Sequence, residues 1–171
     1  VEVLPANQRA PDLVGLWHMD GSWMDYSGNN NNGTAYNGAT FSSDKLAGTQ
    51  SGSFDGVNDY VTVGNIHPGN SFTVDAWVYD TSAGSGDRMI VGRSNSYFLW
   101  INGGKLRGEF HNGTSWVGQV GYTGFSKDYG NSWTHIAITK DQSAGTFKLY
   151  INGTLIETDT DSNTVNNSGA I

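Results

Sequence analysis

The stretch WTHIAITKDQSAGTFKLYING, residues 133–153, specifies the local architecture most directly. Successive side chains of its first half suit opposite faces of a strand, and the same alternation returns over residues 146–151. A short connection that ends in Gly145 joins the two runs. The Asn-Gly pair at 152–153 predicts a type I′ turn into a third strand over 154–158, because that turn needs positive φ at both central residues. Three consecutive antiparallel strands are therefore expected here.

The composition extends this expectation to the whole chain of 171 residues, a length that suits one domain. It contains 24 glycines against three prolines and no cysteine, so neither disulfides nor thiol chemistry contributes. Abundant Asn, Ser and Thr favour short strands joined by turns over helices. We interpret residues 1–12 as an arm or linker and residues 13–171 as a single all-β domain.

About twelve short strands at a spacing of roughly 8 to 12 residues indicate a sandwich or barrel. The segment between residues 21 and 38 is predicted to be a loop. Before the closing hairpin, strands are predicted over residues 13–20, 39–42, 51–54, 59–63, 72–79, 89–91, 97–101, 106–111 and 115–120.

The net charge of the chain limits the classes of partner that it is expected to bind. Nine Lys and Arg against sixteen Asp and Glu give a net charge of −7, which disfavours nucleic acid and anionic membrane surfaces. No apolar run approaches the ~20 residues that a membrane span needs. Cations or neutral ligands are the expected partners. The Gly-, Asn- and Asp-rich, cysteine-free composition is typical of secreted or surface proteins of bacteria.

Four motifs occur in a characteristic order: VGLWHMDGSWMDYSGNNNNGT from residue 14, SGSFDGVNDYVTVG from 51, SFTVDAWVY from 71, and the hairpin from 133. In this order they resemble the LamG-like jellyroll domains of the concanavalin A-like lectin/glucanase superfamily. The resemblance covers residues 14 to about 158. It implies two antiparallel sheets packed face to face, and it does not by itself fix a function, because this sandwich carries lectins, adhesion domains and hydrolases alike.

The resemblance also implies that two further strands follow the YING hairpin and close the sheet against the first strand, and neither is present. We therefore expect a jellyroll that is incomplete at its C-terminus, with an open edge beside the strand from Val14 to Met19. Three explanations stay open: a truncated chain, a second polypeptide that donates the missing strands, or closure by the N-terminal arm.

The loop after the first strand crowds oxygen-bearing side chains within a few residues. Calcium takes six to eight such oxygens, and the resemblance implies a structural calcium near this point. We predict a calcium site with Asp20 and Asn32 as the first candidates and with Asp25 and Asn30 as the next. The alternative is that these residues only form Asx turns.

No catalytic constellation is visible. The carboxylate pair that glycoside hydrolysis needs is missing, since Glu2, Glu109 and Glu157 do not form the Glu-x-Asp-x-x-Glu strand motif of the related glucanases. The four histidines are scattered and lack any metal-binding spacing. We therefore expect a protein that is not an enzyme.

Aromatic residues of the middle strands are the remaining functional signal. Sugar sites stack ring faces on Trp or Tyr beside polar side chains, and such residues cluster here in sequence. Trp17, Trp77 and Trp133, in contrast, lie in the family-like motifs and are expected to be structural. The candidate ligand-binding residues are Trp100, Arg107, His111, Trp116 and Tyr122.

The sequence therefore predicts a non-catalytic extracellular or cell-surface module that binds carbohydrate or a surface protein and is stabilised by calcium. The alternative is a structural subunit of a pilus, filament or other surface assembly, whose sandwich is completed by strands from another chain.

Overall fold

A computed structural model describes residues 12–67, 69–81 and 86–166. The chain divides into two compact units, Val1–Ile66 and His67–Ile171. The predicted arm over residues 1–12 lies outside the described residues, except for Asp12. Within the described ranges nearly all regular structure is β-strand, as the composition predicts.

The first unit contains two small antiparallel strand pairs. The strands are β1 (Thr34–Tyr36), β2 (Thr40–Ser42), β3 (Ser51–Ser53) and β4 (Tyr60–Thr62). β1 pairs with β4, and β2 pairs with β3. Tyr36 and Tyr60 are cross-strand partners, and their rings stack with centroids 4.8 Å apart. β1 falls within the segment that the sequence predicts to be a loop.

The strand predicted over residues 13–20 is not formed; the segment makes only an isolated bridge between Trp17 and Asp25. The Leu16 carbonyl oxygen accepts the Tyr26 N–H at 2.7 Å, and several other backbone groups of the segment bond to side chains. The Leu16 N–H donates to Asp25 Oδ1 at 3.0 Å, and the side-chain amide of Asn31 donates to the Val14 carbonyl oxygen at 2.8 Å. Side-chain hydrogen bonds thus replace the ladder that the alternating pattern suggests.

The second unit contains the two larger sheets. The strands are β5 (Phe72–Tyr79), β6 (Asp87–Arg93), β7 (Tyr97–Asn102), β8 (Lys105–His111), β9 (Trp116–Tyr122), β10 (Trp133–Asp141), β11 (Thr146–Ile151) and β12 (Thr154–Thr160). One antiparallel sheet has the order β12-β11-β10-β5, and the other has the order β6-β7-β8-β9. The closing hairpin and its continuation are confirmed, with φ of 49° at Asn152 and 76° at Gly153.

The two larger sheets pack face to face around one core. Phe110 of β8 and Phe147 of β11 meet edge to face at 5.2 Å, and both are completely buried. The alternation of the hairpin places Ile136 and Ile138 in this core, as the sequence predicts. The architecture is therefore an antiparallel β-sandwich. Its central side chains are Leu99, Leu106, Phe110, Ile136, Ile138, Phe147 and Leu149.

Carboxylates connect the neighbouring edges of the two sheets. The backbone N–H of Gln119 in β9 donates to Asp159 Oδ2 at 3.0 Å, and that of Gly121 donates to Glu157 Oε2 at 2.6 Å. Both acceptors belong to β12. Edge N–H groups that would otherwise lack partners are satisfied in this way.

A short helix that the sequence pattern does not predict, α1 (Phe125–Tyr129), follows β9. It begins after Gly124, whose φ is 99°. Phe125 is completely buried and stacks on Tyr129 with ring centroids 5.6 Å apart. Five residues give too little periodicity to recognise a helix in the sequence.

Candidate ligand-binding face

Four of the five predicted ligand-binding residues lie on one face of the β6–β9 sheet. Trp100 pairs with Arg107 across β7 and β8, and His111 pairs with Trp116 across β8 and β9. Cross-strand partners share a face, and this face is opposite the one that carries the buried core residues. Phe98 and Glu109 also form a pair on it. We call these six residues, Phe98, Trp100, Arg107, Glu109, His111 and Trp116, the aromatic face.

Trp116 is at the centre of the ring contacts on this face. Its indole stacks on Phe98 with centroids 4.4 Å apart and planes 23° apart. His111 meets the same indole edge to face at 5.1 Å. Met89, which pairs with Trp100 from β6, is 51% exposed. Phe98, Trp100 and Trp116 are each half-buried, so the face offers preorganised, partly accessible aromatic surface.

Charge on the aromatic face is concentrated in one pair. Arg107 Nη1 lies 3.7 Å from Glu109 Oε1, and the Glu109 side chain is only 12% exposed. Burial raises the pKa of Glu109, although the Arg107 guanidinium and the Trp100 indole N–H both act to lower it. The face therefore combines aromatic rings, a guanidinium and a carboxyl that loses its proton at higher pH than an ordinary Glu.

Tyr122, the fifth predicted residue, faces the other way. It pairs with Leu106 and packs against the core. Its hydroxyl donates to Asp128 Oδ2 at 2.8 Å, and this bond is the main reason that its pKa is raised. Tyr122 is therefore not part of the aromatic face.

A β-bulge in β9 explains this separation. The register moves from Val117 opposite Phe110 directly to Gln119 opposite Glu109, so that Gly118 has no partner. One extra residue reverses the faces of everything that follows it in the strand. Gly118 has φ of 56°, and a Cβ there would lie 1.8 Å from Phe110 Cε1. A glycine inside a strand pattern is the signal that could have predicted the bulge.

The sequence also missed Phe98 and Glu109, although both alternate with predicted residues along the same strands. It further misassigned Trp77, which was expected to be structural. Trp77 is 52% exposed on the outer side of β5 and lies 5.3 Å from His135, ring to ring. It lies opposite the side of β5 that meets the core, so its family-like position does not bury it.

The predicted calcium residues are engaged by protein donors. Asp25 is buried and accepts four hydrogen bonds, from the backbone of Leu16, Ser27 and Asn31 and from the Ser27 hydroxyl. Burial raises the pKa of Asp25, but the hydrogen bonds outweigh it and leave the pKa below its ordinary value. Asn32 Oδ1 accepts the N–H of Asp25 at 2.9 Å.

The other two candidates have different roles. Asp20 Oδ1 accepts the backbone N–H groups of Thr49 and Gln50, each at 2.8 Å, and the Thr49 hydroxyl. Asn30 has φ of 61°, a turn conformation that Asn tolerates. Across the described ranges, no group of three or more His, Cys, Asp or Glu is placed to hold a metal ion. The carboxylates of Asp20 and Asp25 accept hydrogen bonds from protein donors in this arrangement, and calcium binding stays a prediction from the sequence.

Comparison with known proteins places the chain in a family. A laminin G family profile, described as the concanavalin A-like lectin/glucanases superfamily, matches residues 55–171. The chain belongs to this superfamily, as the sequence motifs predict. No curated protein sequence matches it significantly.

Solved structures with the same fold include binding domains of botulinum neurotoxins. The binding domain of neurotoxin DC, in complex with rat synaptotagmin II, matches with a TM-score of 0.63 and 17% identity over 91% of this chain and 42% of that chain. The serotype D ligand binding domain in complex with N-acetylneuraminic acid matches with a TM-score of 0.59 and 22% identity. This match covers 84% of this chain and 38% of that chain. This chain thus spans less than half of either domain, and the likeness shows the fold alone.

Proposed function

We propose that this chain is a non-catalytic extracellular module that binds a carbohydrate or another surface ligand on the aromatic face. The observation that carries the proposal is the set of ring contacts that Trp116 makes with Phe98 and His111, beside Trp100 and Arg107. Aromatic rings provide rigid apolar area for the C–H faces of a sugar ring. Polar groups beside them can bind its hydroxyls.

The comparisons are consistent with this proposal. Among the solved structures of the same fold, one is a ligand binding domain in complex with N-acetylneuraminic acid, and another is a binding domain in complex with a protein receptor. Lectin-like binding domains work at surfaces or outside cells, which supports an extracellular setting for this chain. Across the described residues, no helix is long and apolar enough to cross a membrane.

Two glutamates of the described residues are committed to other roles, which supports a non-catalytic function. Glu109 is paired with Arg107, and Glu157 accepts the Gly121 N–H of β9. Glycoside hydrolysis requires two carboxyl groups that flank the scissile bond.

A glycan array tests the proposal. We expect binding to at least one glycan, and we expect Trp116→Ala to weaken it about tenfold, which corresponds to about 1.4 kcal/mol. Trp100→Ala should weaken the same interaction. Trp77→Ala is the matched control, because Trp77 is an exposed tryptophan on the other large sheet. Absence of binding by a folded protein, or equal losses in all three variants, would argue against the aromatic face.

A structural subunit of a pilus, filament or other surface assembly is the second candidate. The observation that favours it is the exposure of two apolar side chains in the segment that lacks strand partners, 47% for Val14 and 41% for Leu16. Strands of another chain could cover such a segment. Native mass spectrometry should then find this chain together with a second polypeptide. Native material that contains only one longer polypeptide would exclude a subunit completed by another chain.

A further inference from the structure

A groove of about 550 Å³ lies at one end of the β6–β9 sheet. The turn between β7 and β8 forms one wall, and the segment around α1 forms the other. Lys105, at the start of β8, is two residues from Arg107 and alternates onto the same side of the strand. The groove therefore continues from the aromatic face. Its lining includes Gly103, Gly104, Lys105, Thr123, Lys127 and Asn131.

Backbone hydrogen bonds hold the walls in place. The Ser126 N–H donates to the Gly104 carbonyl oxygen at 3.2 Å and so joins α1 to the turn. The Asn131 N–H donates to the Asp80 carbonyl oxygen at 2.8 Å, and the Ser126 hydroxyl donates to the Asp80 carboxylate. The groove is thus largely formed before any ligand arrives, which lowers the entropic cost of binding.

The charge of the groove is opposite to that of the chain. Two lysines and no carboxylate line it, in a chain of net charge −7. Within the described ranges, neither Lys105 nor Lys127 has a hydrogen bond or ion pair for its ammonium group. Two ammonium groups in a polar groove favour an anionic group on the ligand.

Nearby acidic side chains have other partners. Asp128 accepts the Tyr122 hydroxyl at 2.8 Å, and Asp87 accepts the side-chain amide of Asn102. Asp80 is almost completely buried and pairs with Arg88 at 3.4 Å. None of these contacts involves Lys105 or Lys127, so both ammonium groups are available to a ligand.

We propose that this groove binds a carboxylated sugar, whose carboxylate lies between Lys105 and Lys127. The Thr123 hydroxyl and the Asn131 amide are available for ring hydroxyls, and the volume suits a sugar residue. The inference rests on the proposed carbohydrate function and specifies it. The remainder of a longer glycan would extend over the aromatic face.

Amide chemical shifts in ¹⁵N-labelled protein test the inference. D-glucuronate, D-galacturonate and N-acetylneuraminate are titrated separately, with D-glucose as the neutral probe and acetate as the anion without a sugar. We expect at least one acidic sugar to shift the amides of Gly103, Gly104 and Gly124 saturably. Glucose and acetate should each bind at least tenfold more weakly.

Single variants connect these shifts to the lysines. Lys105→Gln and Lys127→Gln should each weaken binding about three- to fivefold, as expected for exposed charge pairs. Lys45→Gln removes the same charge from an exposed position in the other unit and should have no effect. Lys127 is exposed and Lys105 is half-buried, and the substitutions change neither the backbone nor the core, so folding should be preserved.

Three results would overturn the inference: no shift with any acidic sugar, equal binding of glucose, or groove variants that behave like the wild type. Acetate that binds as tightly as the sugars would also overturn it, because the groove would then be a general anion site. The glycan array could show binding that depends on Trp116 while the acidic sugars shift no amide of the groove. That combination would refute this inference and leave the proposed function intact. Failure of both experiments would refute both.

Discussion

Asp25 shows how the hydrogen bonds of one side chain can organise a loop. Its two carboxylate oxygens accept four hydrogen bonds from residues on both sides of it in sequence. The residue types that suggest calcium are also the types that form Asx turns, and the sequence cannot separate the two. The geometry of the donors favours the hydrogen-bonded loop.

We expect Asp25→Asn to lower the free energy of unfolding by about 2 kcal/mol, because an amide has one acceptor oxygen for four donors. The lowered pKa of Asp25 means that its carboxylate contributes stability above the pKa of the unfolded state. This contribution is lost as the pH falls through the folded-state pKa. The variant should therefore lose less stability on acidification than the wild type, as measured by urea unfolding at neutral and acidic pH.

The effect of EDTA on the melting temperature distinguishes a loop held by hydrogen bonds from a loop that binds calcium. A ligand that binds only the folded state raises the melting temperature, so the hydrogen-bonded loop predicts no change on chelation in either protein. A melting temperature that falls with EDTA in the wild type but not in Asp25→Asn would instead support the calcium prediction.

Lys140 is a residue for which the sequence pattern was reliable. Alternation along the hairpin places it on the same side as Ile136 and Ile138, and it is only 2% exposed. Its ammonium donates to the Asp161 carbonyl oxygen at 2.8 Å and lies 5.1 Å from the centre of the Phe110 ring. Burial lowers the pKa of Lys140, although nearby aspartates raise it. The sequence predicts the face of this side chain, and only the structure shows its partner.

At the scale of elements, glycines decide how closely the two large sheets approach. A Cβ at Gly108 of β8 would lie 2.5 Å from Ile138 Cγ2 of β10 and 3.1 Å from Val120 Cγ2. The opposite sheet therefore fills the space that a side chain would need. Gly108 is buried, and the sheets can approach this closely at that point because it has no side chain.

We expect Gly108→Ala to destabilise the protein by about 1 to 3 kcal/mol, the usual cost of overpacking a core. Denaturant unfolding measures this cost. A second measurement uses the Ile138→Ala background, in which the cost of Gly108→Ala should be clearly smaller because the contacting methyl is absent. Equal costs in both backgrounds would show that the contact with Ile138 is not the cause.

The strand predictions are correct where a regularly alternating segment pairs with a neighbouring strand. They are wrong where hydrogen bonds to side chains replace the backbone pairing between strands. β5 was predicted with its observed bounds, Phe72–Tyr79, because its apolar residues occupy every second position. Residues 13–20 alternate equally well but bond to Asp25 and to asparagine amides instead of a strand. Alternation shows that a segment can be a strand, whereas a neighbour of the right register makes it one.

At the scale of the molecule, the described core lies within residues 72–165. The central strands of the two large sheets have a hydrogen-bonded neighbour on each side, and residues 13–24 have a single bridge. Local stability should differ accordingly.

We expect native-state hydrogen exchange to be slowest for amides of β8 and β10 and much faster over residues 13–24. Exchange measured by NMR or mass spectrometry tests this pattern, and β12 is an internal reference because it is a sheet edge. Protection of residues 13–24 as strong as that of β10 would mean that this segment has a partner that the structure does not show.

The sequence by itself determined the all-β class, the closing hairpin, the acidic charge and the superfamily, because periodicity, turn chemistry and composition are local properties of the chain. Only the tertiary structure decided which predicted residues act together. One unpaired residue at Gly118 moves Tyr122 to the opposite face from Trp116, and chain segments distant in sequence bring Lys105 and Lys127 to one groove. Register and packing depend on neighbouring strands, and no local pattern contains that information.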